Sequence, residues 1–273
     1  MTDHITQSLE NRVLTLTINR PERKNALTQA MYGALADAIN AANDDKAIRA
    51  IIITGEGDMF TAGNDLTDFA SDSERSSGEP PVTRFLNGIR DAETPLIAAV
   101  NGPAVGVGLT MLLHCDIAYA AESANFRAPF TALGLVPEAG SSLLLPLSVG
   151  NSMANDILLA GRILSAQEAL DCGLVSRVEP DTGLMSAALA TAERIAIAAP
   201  TAIRRSKALI RMNRDAVKDR MEAEGKAFAE QLKSPDFAEA AAAFAQKQHP
   251  VFAGFLRLQN PLPICGLYPP NPL

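Results

Sequence analysis

Residues 96–108 read Leu-Ile-Ala-Ala-Val-Asn-Gly-Pro-Ala-Val-Gly-Val-Gly, a short apolar run followed by a glycine-rich turn, and they continue into the apolar residues 109–116. This order predicts a strand, a tight turn and a helix. Such a turn aims the unpaired backbone N–H groups of the helix at an anion or a polarised oxygen. It has neither the Gly-Lys-Ser/Thr of a Walker loop nor the glycine spacing of the dinucleotide fingerprint. A lone glycine turn more often serves close packing of a helix on a strand, so further residues must decide its role.

The same alternation of strand and helix patterns precedes this turn. Residues 13–19 alternate apolar and polar side chains with period 2, and residues 50–54 form a β-branched run, so both predict strands. Between them Thr28 is a candidate N-cap of a helix. Its apolar positions recur at helical spacing: Met31, Leu35, Ile39 and Ala42. A further helix is predicted near residues 82–91. Strands that alternate with helices predict an α/β fold.

The C-terminal part is predicted to be mostly helical, because the strand patterns stop near residue 183. Helices are predicted over 183–198, 203–213 and the alanine-rich 236–247. We therefore divide the chain into a core (1–200), a helical C-terminal region (201–260) and a proline-rich tail (261–273). The polar residues 71–81 predict a flexible surface loop.

Composition restricts the class of function. The 273 residues carry a net charge of −7 and no Trp, which argues against a nucleic-acid partner and against a membrane interface. Cys115, Cys172 and Cys265 form no CxxC pair, so neither a zinc site nor a disulfide framework is expected. The N-terminus shows no leader pattern, and no apolar run is long enough to span a bilayer. A cytoplasmic protein without a metal is the expectation.

Two other turn-like segments carry polar residues. In Phe60-Thr-Ala-Gly-Asn-Asp-Leu66, Gly63 permits a backbone conformation that presents the next amide to a ligand. In the segment 128–142, Glu138 lies between Pro137 and Ala139-Gly140 in mostly apolar company. A carboxyl group there either favours a helix N-terminus or, if its pKa is raised by apolar surroundings, carries a proton.

Together these three segments resemble the enoyl-CoA hydratase/isomerase (crotonase) superfamily. The resemblance begins at residues 19–27, Asn-Arg-Pro-Glu-Arg-Lys-Asn-Ala-Leu, and extends to about Arg177, with residues 164–176 also similar to the family. It implies a spiral of ββα units followed by a helical region used for trimerisation. A homotrimer or a hexamer of two trimers is implied, with an acyl-CoA thioester as the substrate.

The resemblance also implies a site. The thioester oxygen would lie between two backbone amides, which map to Asn64 and Val107. Coenzyme A belongs to the substrate, and no separate cofactor is implied. Ala62, Asp65 and Leu66 would follow the adenine and pantetheine path, and Arg23 or Lys24 would meet CoA phosphates. The implied substrate-binding set is Lys24, Ala62, Gly63, Asp65, Leu66 and Gly106.

The reaction follows from three positions. Hydratases of the family use two glutamates, and this chain is similar to them except that Thr110 and Phe130 stand at those positions. Glu138 instead falls where Δ3,Δ2-enoyl-CoA isomerases of the peroxisomal type carry their base, within a segment resembling Pro-Phe-x-x-Leu-Gly-x-x-Pro-Glu. The resemblance implies such an isomerase, with Glu138 as the proton shuttle and the amides of Asn64 and Val107 as its oxyanion hole.

Other assignments stay open from the sequence. They are another crotonase reaction, namely hydration with a water held by Glu138 or thioester hydrolysis, and a non-catalytic CoA-binding or RNA-binding member of the fold. His114 lies in an apolar segment, where a structural histidine is more common than a catalytic one. Asp116 and Ser141 are likewise expected to be structural.

Overall fold

The computed structural model describes residues 2–65, 68, 78–211, 214–246 and 248–252. Its strands are β1 (Ile5–Glu10), β2 (Val13–Ile18), β3 (Ala50–Gly55), β4 (Leu96–Val100), β5 (Ala104–Val105), β6 (Ile117–Ala121), β7 (Asn125–Arg127), β8 (Leu164–Ser165) and β9 (Arg177–Glu179). Its helices, numbered over the described residues, are α1 (Gln29–Asp44), α2 (Pro81–Asp91), α3 (Val107–Thr110), α4 (Ser141–Val149), α5 (Asn151–Leu158), α6 (Ala166–Asp171), α7 (Leu184–Ile197), α8 (Pro200–Ile210), α9 (Arg214–Gln231) and α10 (Pro235–Ala245). Short 3-10 turns cover Pro21–Arg23, Met111–His114 and Thr131–Leu133.

The strands form two sheets. The larger has the order β1-β2-β3-β4-β6-β9, in which β1 and β2 are antiparallel and the other neighbours are parallel. The smaller has the order β5-β7-β8. β4 is buried throughout and β3 over its first five residues, because helices cover both faces of the large sheet. α1 and α2 pack on one face and α7 packs on the other. The prediction of an α/β fold is confirmed.

Helix α1 shows how local sequence produces this packing. The Thr28 hydroxyl accepts a hydrogen bond from the Met31 amide at 3.3 Å, so the predicted N-cap is present. Met31, Leu35, Ile39 and Ala42 are all fully buried, as their spacing predicted. The alternation in β2 is confirmed in the same way, because Leu14, Leu16 and Ile18 belong to the core on the α1 side.

Three helices differ from the sequence-based expectation. The helix predicted after the glycine-rich turn is short: α3 spans only Val107–Thr110, and a 3-10 turn follows. Helix α8 begins at Pro200 rather than at residue 203, since proline is well suited to the first position of a helix. Helix α9 was not predicted at all, because most of its residues are polar.

Two predicted segments lie largely outside the residues that the structure describes. Within the predicted loop 71–81, residues 71–77 are not described and Pro81 begins α2. The proline-rich tail 261–273, with Cys265, is also outside the described residues, and Cys115 and Cys172 are free thiols. The division at residues 200 and 260 stays a prediction. None of the described helices combines the length and the apolar character needed to cross a membrane.

Candidate active site

The glycine-rich turn within residues 101–108 and the segment that begins at Phe60 lie side by side. They follow the carboxyl ends of β4 and β3, where ligands bind in parallel sheets. Thr61 and Ala104 form a parallel bridge, with the Val105 amide donating to the Thr61 carbonyl at 3.0 Å. Asn64 and Val107 each follow this pair by three residues on their own segment. The bridge therefore places the two segments that carry Asn64 and Val107 side by side, and their pairing as an oxyanion hole stays a prediction.

Gly63 permits the close approach of the two segments, and Gly106 permits the turn that leads into α3. A Cβ on Gly63 would lie 2.9 Å from the Val105 carbonyl oxygen, and its φ of +90° disfavours other residues. Gly106 has φ 56° and ψ −116° and immediately precedes α3. Its conformation turns the chain so that Val107 becomes the first residue of that helix.

The backbone amides of Asn64 and Val107 differ from neighbouring amides in their hydrogen bonding. Within the described part of the chain neither N–H group has a hydrogen-bond acceptor, although the neighbouring Asp65 amide donates to the Leu27 carbonyl at 2.9 Å. The Thr110 amide donates to the Gly106 carbonyl at 3.0 Å. Val107 stands at a helix N-terminus, where amides lack an intrahelical partner. The two amides therefore suit a developing negative charge on oxygen.

Tyr32 supports the first of these positions, and sequence reasoning missed it as a site residue. Its hydroxyl donates a hydrogen bond to Asn64 Oδ1. Burial, and secondarily the charge of Glu138, raise the pKa of Tyr32 well above its usual value, so the hydroxyl stays protonated and remains a donor. Asn64, which lines the cavity, is thereby held through its side chain.

Glu138 presents its carboxyl group to the same region. It is half-buried, and the Thr110 hydroxyl donates to its Oε1 at 2.5 Å. Burial raises the pKa of Glu138 to about 7, the Thr110 hydrogen bond opposes that shift, and Glu224 adds to it. A carboxyl group of this kind exchanges a proton near neutral pH.

The turn after Glu138 has an unusual backbone and several supports. Ala139 and Gly140 have φ of 61° and 72°, which is a left-handed conformation that alanine disfavours. The Ser141 hydroxyl donates to the Glu138 carbonyl at 2.6 Å, and His114 Nε2 lies 2.6 Å from the Ala139 carbonyl. Glu224 of α9 accepts hydrogen bonds from the amides of Gly140 and Ser142. Contacts from three parts of the chain therefore fix this turn.

A cavity of about 560 Å³ adjoins these groups and lies between α2 and α9. Asn64, Glu138 and Ala139 line one part of it. Apolar side chains from the two helices and the residue after α9 line much of the remainder: Val82, Leu86, Met221, Phe228 and Leu232. Charged side chains also reach it, namely Arg90, Lys218 and Glu222. An apolar chain with a polar head group fits such a lining.

The helix that closes the cavity was missed in the sequence. Val217, Met221, Glu224 and Phe228 recur at helical spacing in α9, and Val217 and Glu224 are buried. This stripe was the available signal, but Glu224 interrupts it with a charge and the surrounding residues are polar.

The two positions of the hydratase glutamates have other environments here. Thr110 is fully buried and binds Glu138, so it approaches the reacting region as a neutral hydroxyl. Phe130 is 6% exposed and belongs to the apolar core. A proton carrier is therefore missing at that second position, in agreement with the sequence.

The structure describes three more of the predicted binding residues, Lys24, Ala62 and Asp65. The Ala62 amide donates to the Lys24 carbonyl at 2.9 Å, which joins the predicted phosphate-binding segment to the site. The side chains of Arg23 and Lys24 are exposed. Asp65 forms an ion pair with Arg20 at 2.7 Å, so its carboxylate is engaged within the protein. Leu66 lies outside the described residues.

The polar residues expected to be structural have structural contacts. Burial lowers the pKa of His114 to about 4, so this histidine is neutral at physiological pH. Asp116 binds Lys207 at 2.7 Å and Arg211 at 3.0 Å. Across the described ranges, no group of three or more His, Cys, Asp or Glu side chains is arranged to hold a metal ion.

Comparison with known proteins gives a consistent result. A family model described as enoyl-CoA hydratase/isomerase matches residues 8–255. Enoyl-CoA delta isomerase 2 of Rattus norvegicus is 40% identical over 210 residues, which cover 75% of this chain and 53% of that protein, so the chain spans about half of this relative. The 2,3-dehydroadipyl-CoA hydratase of Escherichia coli (strain K12) is 36% identical over 248 residues, or 90% of this chain and 97% of that protein.

A solved structure matches the fold. The enoyl-CoA hydratase/isomerase from Pseudoalteromonas atlantica T6c superimposes with a TM-score of 0.88 at 57% sequence identity, covering 92% of this chain and all of that chain. The crotonase fold implied by the sequence is therefore confirmed.

Proposed function

This chain belongs to the enoyl-CoA hydratase/isomerase family, and from there we propose that it shifts the double bond of a 3-enoyl-CoA to the 2-position. One observation carries the choice of reaction: Glu138 lines the cavity, and burial raises the pKa of its carboxyl group to about 7. The Phe130 position, which holds the second glutamate in hydratases, belongs to the apolar core.

The proposed reaction needs one group that accepts and then returns a proton. The Glu138 carboxylate removes a proton from C2 of the substrate, the electrons pass to the thioester oxygen, and the resulting dienolate takes the proton back at C4. A pKa near the working pH suits both transfers, because neither the acid nor the base form is scarce. The Thr110 hydrogen bond holds the carboxylate during the exchange.

The dienolate requires stabilisation, since a carboxylate is too weak a base for an unassisted thioester. The backbone amides of Asn64 and Val107 are the proposed donors to its oxygen. Each such donor typically contributes roughly 2.7–4 kcal/mol to the transition state. Their lack of an acceptor within the described chain supports this role.

The cavity between α2 and α9 is the proposed acyl pocket, because its apolar side chains match a hydrocarbon chain. The coenzyme A moiety is proposed to bind along the segment that follows β3 and the exposed turn before α1. The proposed substrate-binding residues as a whole are Lys24, Ala62, Gly63, Asp65, Leu66 and Gly106. We also propose a homotrimer or a hexamer, which light scattering of the purified protein tests directly.

Hydration is the second candidate, because the E. coli relative that this chain matches over 97% of its length is named a hydratase. The Thr110–Glu138 pair would then hold the attacking water. A hydratase converts a 2-enoyl-CoA into a 3-hydroxyacyl-CoA, whereas the isomerase leaves no hydroxylated product. The product therefore separates the two candidates.

The test uses 3-hexenoyl-CoA and 2-hexenoyl-CoA with the purified full chain, and products are identified by mass spectrometry. The proposal expects conjugated 2-hexenoyl-CoA from the first substrate. Glu138→Gln should reduce turnover on the order of 10³-fold or more while acyl-CoA still binds in calorimetry. Glu230→Gln, on the exposed side of α9, is the matched control and should retain normal activity. Near-normal turnover of Glu138→Gln would refute the assignment.

A further inference from the structure

Glu224 is a carboxylate with an unusual position in α9. It is 7% exposed, although a charged side chain rarely occupies a dry site without compensation. Within the described chain no cation forms an ion pair with it. Its partners are three donors: the Gly140 amide at 2.5 Å, the Ser142 amide at 2.9 Å and the Ser142 hydroxyl at 2.5 Å. All three belong to the turn that follows Glu138 or to the first residues of α4.

These hydrogen bonds pair backbone amides that the turn and the start of α4 leave without a local side-chain cap. Helix α4 begins at Ser141 and has Gly140 as its N-cap, so no side chain of the cap residue can satisfy the first amides. A carboxylate supplied from α9 takes that role, and the positive end of the helix favours its charge. The left-handed conformations of Ala139 and Gly140 are thereby held by a residue from a distant part of the sequence.

We propose that Glu224 is a positioning residue for the reaction assigned above: it fixes the turn from which Glu138 reaches the acyl pocket, and it keeps a second negative charge near that carboxyl group. This inference rests on the proposed function for its catalytic meaning. The interaction between the carboxyl groups of Glu138 and Glu224 can be measured without substrate.

The second negative charge acts in a definite direction. Glu224 is among the groups that raise the pKa of Glu138, after burial, whereas the Thr110 hydrogen bond lowers it. Tyr32 of α1 is neutral, and so is His114, whose ring binds the Ala139 carbonyl. Among the described residues that line the cavity, the other charged ones are Arg90 of α2 and Lys218 and Glu222 of α9. Removing the charge of Glu224 while keeping its shape should therefore lower the pKa of Glu138.

Two substitutions separate charge from reach. Glu224→Gln keeps the length and one acceptor oxygen but removes the charge. Glu224→Asp keeps the charge but is one methylene shorter, so it cannot reach both amides. A simple helix cap would alter stability in both variants without changing how Glu138 titrates. Glu230→Gln, an exposed carboxylate on the same helix, is the control.

The direct readout is the carboxyl ¹³C resonance of Glu138, assigned by its loss in Glu138→Gln and titrated in the full chain without substrate. Glu224→Gln should lower the midpoint by roughly half a unit or more, and Glu224→Asp should leave it nearly unchanged. In turnover of 3-hexenoyl-CoA, Glu224→Asp should reduce kcat by about tenfold or more with less than about a threefold change in KM, because orientation is lost.

Each outcome has a definite meaning. An unchanged Glu138 midpoint in Glu224→Gln overturns the role of the charge, and a normal kcat in Glu224→Asp overturns the role in positioning. If Glu224→Gln does not fold, Glu224→Asp still tests the positioning role through kcat and KM. If the wild-type chain has no isomerase activity but the midpoint still shifts, the proposed function fails while the coupling between the two carboxyl groups stands.

Discussion

The Thr110 hydroxyl donates a hydrogen bond of 2.5 Å to Oε1 of Glu138. Thr110 is fully buried in α3, the helix whose first residue is Val107, so one short helix carries both a proposed oxyanion donor and the partner of the base. The bond stabilises the ionised carboxylate and opposes the burial that raises its pKa. Their balance leaves Glu138 with a pKa of about 7, which is suited to a reversible proton transfer.

Removing this bond should shift the pH dependence upward. The wild-type kcat/KM should rise with pH through about 7, because Glu138 must be ionised to accept the proton. Thr110→Val removes the donor that stabilises the ionised form, so the midpoint should move to higher pH by about one unit. Initial rates from pH 5.5 to about 9.5 measure this shift. Thr201→Val, on the exposed surface of α8, is the control, and a downward shift in Thr110→Val would contradict the role given to the bond.

The oxyanion role of Val107 rests on its backbone, so only a change that removes the N–H group should matter. Val107→Pro deletes that donor at the first position of α3, where a proline ring is tolerated. We expect kcat to fall roughly 10²–10³-fold. Val107→Ala keeps the donor and should remain within about fivefold of the wild type, since it removes only buried methyl groups. Circular dichroism verifies that both variants fold, and equal activities would contradict an amide role at this position.

Gly225 offers a test of the acyl pocket. It lines the cavity from α9, and a Cβ at this position would meet no atom within 4 Å. Gly225→Leu should therefore fill part of the pocket and reduce kcat/KM for 3-dodecenoyl-CoA relative to 3-hexenoyl-CoA by about tenfold. Gly225→Ala should leave this ratio unchanged and stabilise the helix by roughly 0.5–1 kcal/mol. If leucine reduces both substrates equally, the acyl chain does not pass this residue.

The cluster around Asp116 should be important for stability rather than for chemistry. Lys207 is 5% exposed and lies 2.7 Å from Asp116, which also accepts a hydrogen bond from the Leu96 amide. Asp116→Asn leaves a buried cation without its counter-ion, so the free energy of unfolding should fall by about 3 kcal/mol at neutral pH. Asp156→Asn breaks a pair with Arg162 in which the two side chains are 42% and 38% exposed, and it should cost clearly less because solvent screens that pair. Urea denaturation of the two variants compares the losses, and equal losses would argue against a buried ion pair.

The pH dependence of the Asp116 variant gives a second check. Burial lowers the pKa of Lys207 to about 8 even with Asp116 present. The charged form of Lys207 is therefore less favourable in the folded than in the unfolded chain. This cost to the free energy of unfolding is fully present below the folded-state pKa and is relieved as the pH rises above it. The deficit of Asp116→Asn should shrink between pH 7 and about 9, because neutral Lys207 needs no counter-ion.

Features encoded within a short stretch could be predicted from sequence. The buried stripe of α1, its Thr28 cap and the strands around residues 13–18, 50–55 and 96–100 follow from hydrophobic periodicity and local hydrogen bonding. Which of the positions 130 and 138 can carry a proton was also predictable from sequence, because phenylalanine has no ionisable group and glutamate has one. The length of α3 was overestimated, because an apolar run of this length does not distinguish a regular helix from several consecutive tight turns.

The tertiary structure decided the surroundings of those residues. The sequence identified Glu138 as a candidate, but its raised pKa depends on burial in the folded chain. Its carboxyl group and its turn are held by Thr110 and Glu224, which come from other parts of the chain. Sequence likewise named positions 64 and 107, and the bridge between Thr61 and Ala104 is what brings their segments together. Hydrophobic periodicity depends on a few neighbouring side chains and can be recognised in a short stretch of sequence. Burial and the distance between two charged groups depend on the packing of the whole chain, so no short stretch predicts them.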